Sequence, residues 1–180
     1  MLKREEAVLV VVDVQGKLAK LMWEKESLFA ELRRMIEGAR ALEIPIIWME
    51  QNPEGLGPTV PEVGEVMPQG LAAIPKMTFS CWGEPEFVKV LKATGRKSVL
   101  VAGIETHICV YQTVRQLQEN GYQAHVVADA TSSRKASNRG VGLKRIGDAG
   151  ALLTTVEMCL FEMLETAEDE RFREVVGIVK

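Results

Sequence analysis

Ser98-Val-Leu-Val-Ala-Gly-Ile-Glu-Thr-His-Ile-Cys109-Val-Tyr-Gln-Thr-Val-Arg-Gln-Leu117 runs from an apolar strand, through a short turn, into a helix expected to begin at Cys109. The run Ser98 to Gly103 has the pattern of a strand buried on both faces of a parallel sheet. The helix should stop at Asn120-Gly121, a sound C-terminal pairing. A cysteine at a helix N-terminus meets unpaired backbone N–H groups and the positive end of the helix dipole, and both favour an anionic sulfur. The same N–H groups are suited to hold an oxyanion. Free cysteine most often only packs, so the chemistry has to be supported from elsewhere in the chain.

Two other apolar segments end in charges. Ala7 to Val12 is a six-residue apolar run closing on Asp13, and Leu71-Ala-Ala-Ile-Pro-Lys76 closes on an ammonium. A buried parallel strand delivers its last residue to the carboxyl edge of the sheet, where ligands bind. If the three strands are neighbours, an acid, a cation and a thiol converge there, as in an activated nucleophile. Further strands are expected at Pro45–Glu50, Tyr122–Ala128 and Ala151–Thr155. Helices are expected at Glu26–Leu42, Glu84–Ala93 and Lys135–Asp148, with two more from Val156 to the end. Strands alternating with helices imply a parallel sheet covered on both faces, a three-layer α/β/α sandwich. Gln51 to Gly70 carries four prolines and four glycines, so it should be a mostly irregular excursion that leans over the site or onto a second subunit.

Three stretches carry a family resemblance: Val12-Asp13-Val14-Gln15, then Pro75-Lys76-Met77-Thr78-Phe79-Ser80, then Gly103-Ile104-Glu105-Thr106-His107-Ile108-Cys109-Val110. On these the chain is identified as a member of the isochorismatase-like cysteine hydrolase superfamily, which includes nicotinamidases and N-carbamoylsarcosine amidases. The segment Gln51 to Glu62 resembles the uncharacterised branch of that superfamily more than the nicotinamidases. The resemblance implies a six-stranded, mostly parallel, doubly wound (Rossmann-like) sheet. It also implies a catalytic set of Asp13, Lys76 and Cys109, with a cis peptide between Ile104 and Glu105. The oxyanion would be held by the N–H groups of Cys109 and Glu105. Asp13 would take the thiol proton, Lys76 would stabilise the ionised forms, and the thiolate would attack a carbonyl to form a thioester.

Other residues have weaker claims. Gln15 fits contact with a substrate amide or with the Lys76 head group, and equally a plain strand-end hydrogen bond. Trp82 is placed to pack on a small planar substrate, whereas Trp23 suits the core better. His107 divides evenly between substrate contact and a structural hydrogen bond in the turn, and His125, mid-strand, reads as a core or face histidine. Asp129 reads as structural, and Arg134 as able to meet a carboxylate. Nicotinamidases carry an Asp and His cluster after the second strand, yet Trp48-Met-Glu-Gln-Asn-Pro53 has no histidine, and neither of the two histidines has a close partner of the zinc-site kind. No metal and no cofactor are expected, which argues against nicotinamidase activity.

The bulk properties frame this reading. The 180 residues, 47% hydrophobic and 26% charged with a net charge of −3, suit one domain spanning 1–180. No Lys/Arg cluster marks nucleic acid as a partner, and no apolar run has membrane-spanning length. Three scattered cysteines without CxxC fit reduced thiols, and the N-terminus shows no signal-peptide h-region, so a cytoplasmic location is expected. GxSxG, GxxxxGK[ST] and GxGxxG are all absent. The expected function is a metal-independent amidase acting on a small-molecule substrate, in a homo-oligomer. The alternatives are a vinyl-ether hydrolase that uses Asp13 alone, and a non-catalytic or redox-thiol relative.

Overall fold

The computed structural model describes residues 1–180 and contains one six-stranded sheet. Its strands are β1 (Ala7–Val12), β2 (Ile46–Gln51), β3 (Ile74–Lys76), β4 (Ser98–Ile104), β5 (Gln123–Ser132) and β6 (Leu152–Thr154). Their order is β3-β2-β1-β4-β5-β6 and every pairing is parallel. This is the doubly wound order, whose direction of winding reverses between β1 and β4. The helices are α1 (Gly16–Ala19), α2 (Lys25–Ala41), α3 (Pro53–Leu56), α4 (Pro61–Gly64), α5 (Pro85–Ala93), α6 (Tyr111–Glu119), α7 (Ala136–Asp148), α8 (Val156–Leu164) and α9 (Phe172–Val179).

The pleat of β1 explains the three layers. All six of its residues are buried, and because successive side chains point to opposite faces, each face receives half of them. Ala7, Leu9 and Val11 join Leu32, Met35 and Ile36 of α2 and Leu160 of α8 in one core. Val8, Val10 and Val12 join Phe87 and Leu91 of α5, Val114 and Leu117 of α6 and Ile146 of α7 in the other. Such apolar burial contributes roughly 25 cal/mol per Å2 and fixes the strand register, since a one-residue slip would exchange the faces.

Several boundaries differ from the sequence expectations. The third strand is only Ile74–Lys76, because Leu71 packs as a half-buried side chain on the first core instead of pairing. The excursion contains two short helices, α3 and α4, each with a proline in its first turn, where the missing N–H costs nothing. Its middle is tied back by a bridge between Gln15 and Thr59. β5 continues to Ser132 through a register shift against β4 at Val101/Gly103. No helix is long and apolar enough to cross a membrane.

Candidate active site

Asp13 leaves β1 at the winding reversal with φ +55°, a left-handed conformation that Asp tolerates better than most residues. Its carboxylate is 2% exposed as a residue, and Oδ2 lies 2.7 Å from the Lys76 ammonium. Lys76 does not come from a neighbouring strand, as expected from sequence. It ends β3, and β2 lies between, so its side chain reaches across the end of β2. There Gln51, its register partner on β2, accepts from Nζ through Oε1 at 2.7 Å. The carbonyls of Phe79 (3.0 Å) and Thr78 (3.2 Å) accept as well, so a fully buried ammonium is satisfied by four oxygens.

The Ile104–Glu105 peptide at the end of β4 is cis. A single π-helical turn, Thr106–Val110, follows and runs directly into α6. Ile108 N–H and Val110 N–H both donate to the Glu105 carbonyl, so the turn begins three residues before Cys109. This corrects the expected helix start at the cysteine. Cys109 is 7% exposed, and its sulfur belongs to the same buried neighbourhood as Asp13, Lys76 and Cys81.

The electrostatics also differ from a ready-made thiolate. Burial pushes the Cys109 thiol well above its ordinary range; the nearby Asp13 charge pushes the same way, and Lys76 only partly offsets them. Asp13 is raised as well, by burial, with the Lys76 charge and hydrogen bond opposing. Asp13 and Lys76 form a neutral buried pair, and a second anion beside them is disfavoured. The thiol acts on the Asp13 titration, yet Oδ1 meets no partner at hydrogen-bonding geometry and is buried. The resting site is a protonated thiol beside a carboxylate with one free, buried acceptor oxygen.

Asp13 and Cys109 open into a cavity of about 210 Å3 whose wall also holds Glu105, Gln51, Arg134 and the apolar Leu56 and Phe79. Leu56 comes from the excursion, which thus leans over the site. Gln15, Trp82 and His107, the sequence candidates for substrate contact, do not line this cavity. Gln15 is fully buried; its Nε2 donates to the carbonyls of Gln51 and Gly57, and its Oε1 accepts from Gln51 N–H. It therefore acts on Lys76 through Gln51 and not on the cavity. Trp82 is turned by a 3-10 turn at Cys81–Gly83 onto Tyr122, with ring centroids 5.7 Å apart. His107 faces the end of β5 and the start of α7: Nδ1 lies 2.9 Å from Oγ of Ser133, just after β5, and Nε2 lies 3.3 Å from Nδ2 of Asn138 in α7.

Trp23 is 38% exposed under the Arg139 guanidinium, outside the core expected for it. His125 is buried, and its Nε2 has no partner. Asp129 caps the start of α8 by accepting from Val156 N–H. No group of three or more His, Cys, Asp or Glu side chains is arranged to hold a metal ion. Sequence reasoning overlooked Gln51 and Leu56. Gln51 had a weak signal at most, since the apolar run of β2 already stops at Met49 and Glu50 stands between it and Gln51.

The isochorismatase domain family model matches residues 7–158, a span that contains Asp13, Lys76 and Cys109. The chain belongs to the isochorismatase family. This isochorismatase-family hydrolase domain is 38% identical over 177 residues to isochorismatase domain-containing protein 2A of Mus musculus, covering 98% of this chain and 84% of that protein. Isochorismatase domain-containing protein 2 of Xenopus laevis is also 38% identical, over 99% of this chain and 85% of its own length. Among solved structures, MAR1 ribonuclease of Caenorhabditis elegans superposes with a TM-score of 0.93 at 35% identity, covering 99% of this chain and 91% of that one. YcaC of Pseudomonas aeruginosa, with hexane-2,5-diol and covalent acrylamide, gives 0.91 at 27% over 98% and 90%. The Escherichia coli YcaC product, an octameric hydrolase of unknown specificity, gives 0.92 at 26% over 98% and 89%.

Proposed function

We propose that this domain hydrolyses the C–N bond of a small amide through a thioester on Cys109. The observation that carries the reading is the free, buried Asp13 Oδ1 next to a thiol that burial keeps protonated, both on the wall of one small cavity. A base with a raised affinity for protons is suited to take one only as the sulfur attacks. Sulfur then bonds to the carbonyl carbon, the thiol proton passes to Oδ1, and the oxyanion is held by the N–H groups of Cys109 and Glu105. Collapse re-forms the carbonyl and expels the amine, which takes the proton back from Asp13. Water, deprotonated by Asp13, opens the thioester and frees the thiol and a carboxylic acid. Lys76 holds the carboxylate in place and keeps the pair neutral until the proton arrives.

A relative that carries covalent acrylamide is in keeping with a reactive nucleophile on this fold. The ribonuclease name of the nematode relative has less support here: the cavity is below the ~300 Å3 at which ligand sites usually begin, and the net charge is −3. Three buried free cysteines favour a reducing compartment, and the octameric relative together with exposed Leu152 and Leu153 on the edge strand β6 favours self-association. The test is to offer a panel of small amides and follow product release with the intact mass of the protein. An acyl adduct on Cys109, with turnover abolished in Cys109→Ala, is the expected result. Full turnover in Cys109→Ala overturns the thioester and favours protonation chemistry by Asp13 alone.

A further inference from the structure

Every charge on the wall of the Cys109 cavity is already matched by the protein itself. The Asp13 carboxylate is held 2.7 Å from the Lys76 ammonium, whose side chain is fully buried and serves four oxygens. The buried Glu105 carboxylate accepts from the backbone N–H of Arg134 at 2.9 Å and from its Nε–H at 3.2 Å. The carboxylate that Arg134 meets is thus one of the chain's own. A guest anion would face Asp13 and Glu105, and a guest cation would have to displace Lys76 or Arg134 from partners fixed by the fold. The Arg134 side chain is 53% exposed, so water competes for its remaining donors.

The uncharged polar groups are nearly all engaged too. Gln51 accepts from Lys76 through Oε1 and donates to the Met77 carbonyl through Nε2. One side-chain atom of this wall is buried without a partner, Asp13 Oδ1. A primary amide can donate an N–H to that oxygen while its carbonyl lies with the N–H groups proposed above for the oxyanion. The rest of the guest meets Leu18, Leu56, Phe79, Ile104 and Ile108, none of which offers a polar side-chain atom. A further polar group there would lose water without gaining a partner. The volume of about 210 Å3 is roughly seven water volumes at ~30 Å3 each, room for the amide and an acyl chain of a few carbons. Leu56, on α3 of the excursion, is half-buried and belongs to neither core, so its size changes the cavity without disturbing the sheet.

We infer that the substrate is an uncharged primary amide with a short hydrocarbon acyl chain, and that Leu56 sets the length of that chain. This rests on the amide-hydrolase reading above. The test compares pentanamide with two charged amides of similar length, 4-aminobutanamide and the monoamide of succinic acid. Pentanamide should lead both by about 10-fold or more in kcat/KM, because an ionic end loses hydration against a wall with no open counter-charge. In a series from propanamide to octanamide, kcat/KM should rise about fourfold per methylene, the worth of one buried CH2, up to a limiting length. Leu56→Ala should move that limit to longer amides and Leu56→Phe to shorter ones. Each protein is scored as a ratio between substrates, so a general loss of folded protein cancels.

A second measurement needs no turnover. Iodoacetamide should outpace iodoacetate at Cys109, read by peptide mass, with a ratio at least about 10-fold above that of the same pair on free cysteine. That ratio without hydrolysis of any amide supports the uncharged cavity and overturns the hydrolase reading. Hydrolysis that favours either charged amide overturns the uncharged substrate alone, and a length limit that stays put in both Leu56 variants overturns the role of Leu56. Absence of both hydrolysis and the alkylation ratio overturns the two readings together.

Discussion

Replacing Lys76 by methionine leaves the Asp13 carboxylate buried without its counter-charge. The two side chains are 0% and 3% exposed and their charged atoms lie 2.7 Å apart. Gln51 Oε1 and two backbone carbonyls also lose their donor. Breaking a buried pair from one side costs about 3–5 kcal/mol, whereas replacing both members is often close to neutral. We expect Lys76→Met to lower stability by about that amount at pH 7, and Asp13→Asn with Lys76→Met to recover at least half of it. Urea midpoints at unchanged m report both values. The pH dependence has a definite sign. The folded-state pKa of Asp13 lies above its ordinary value because burial outweighs Lys76. A carboxyl group of this kind contributes stability that is full below the unfolded pKa and lost as pH rises through the folded value. Removing Lys76 moves the folded value higher still, so the deficit of Lys76→Met should shrink between pH 7 and pH 5 as Asp13 takes up its proton. A deficit below about 1 kcal/mol at pH 7, or single-variant losses that simply add in the double variant, refutes the coupling.

Asp13→Asn should abolish hydrolysis and yet speed iodoacetamide alkylation of Cys109 at neutral pH, because the Asp13 charge is one of the causes holding the thiol up; slower alkylation contradicts this. All three cysteines are shifted upward by burial, Cys81 and Cys159 to about 12 from 9.0, so the folded state keeps protons that the unfolded chain releases. Stability should therefore fall above pH 9 by about 1.4 kcal/mol per pH unit for each such thiol, read from urea midpoints in alkaline buffers. Gly16 has φ +46°, and a Cβ there would lie 2.1 Å from the Leu56 carbonyl oxygen. Gly16→Ala should displace α3 from the cavity, raising KM several-fold while lowering stability by only about 1–2 kcal/mol; an unchanged KM argues against α3 as part of the wall.

The strand ends were legible because a parallel strand buried on both faces has an unmistakable composition, and Asp13 and Glu105 break the apolar runs of β1 and β4 sharply. The lateral order of strands leaves no such mark. Nothing around Lys76 says that it must reach over β2, so its dependence on Gln51 stayed hidden. Ring placement failed for a similar reason. Trp82 follows Lys76 closely in the chain, but one 3-10 turn carries it to Tyr122, and Trp23 lies under Arg139 across the molecule. The thiolate expectation rested on a helix end and on the charge of Lys76, and burial beside Asp13 is the larger effect. That balance depends on three-dimensional surroundings, which no spacing of residues encodes.

Gln15 holds the segment over the cavity through main-chain atoms only, the N–H and carbonyl of Gln51 and the carbonyl of Gly57. An anchor of this kind is indifferent to which side chains the segment bears. Leu56 can thus be exchanged for residues of other size and polarity while the carboxylate, ammonium and sulfur keep their mutual geometry. The shape of the cavity and the arrangement of charges beneath it are in this way separable under mutation, so one can drift without first disturbing the other.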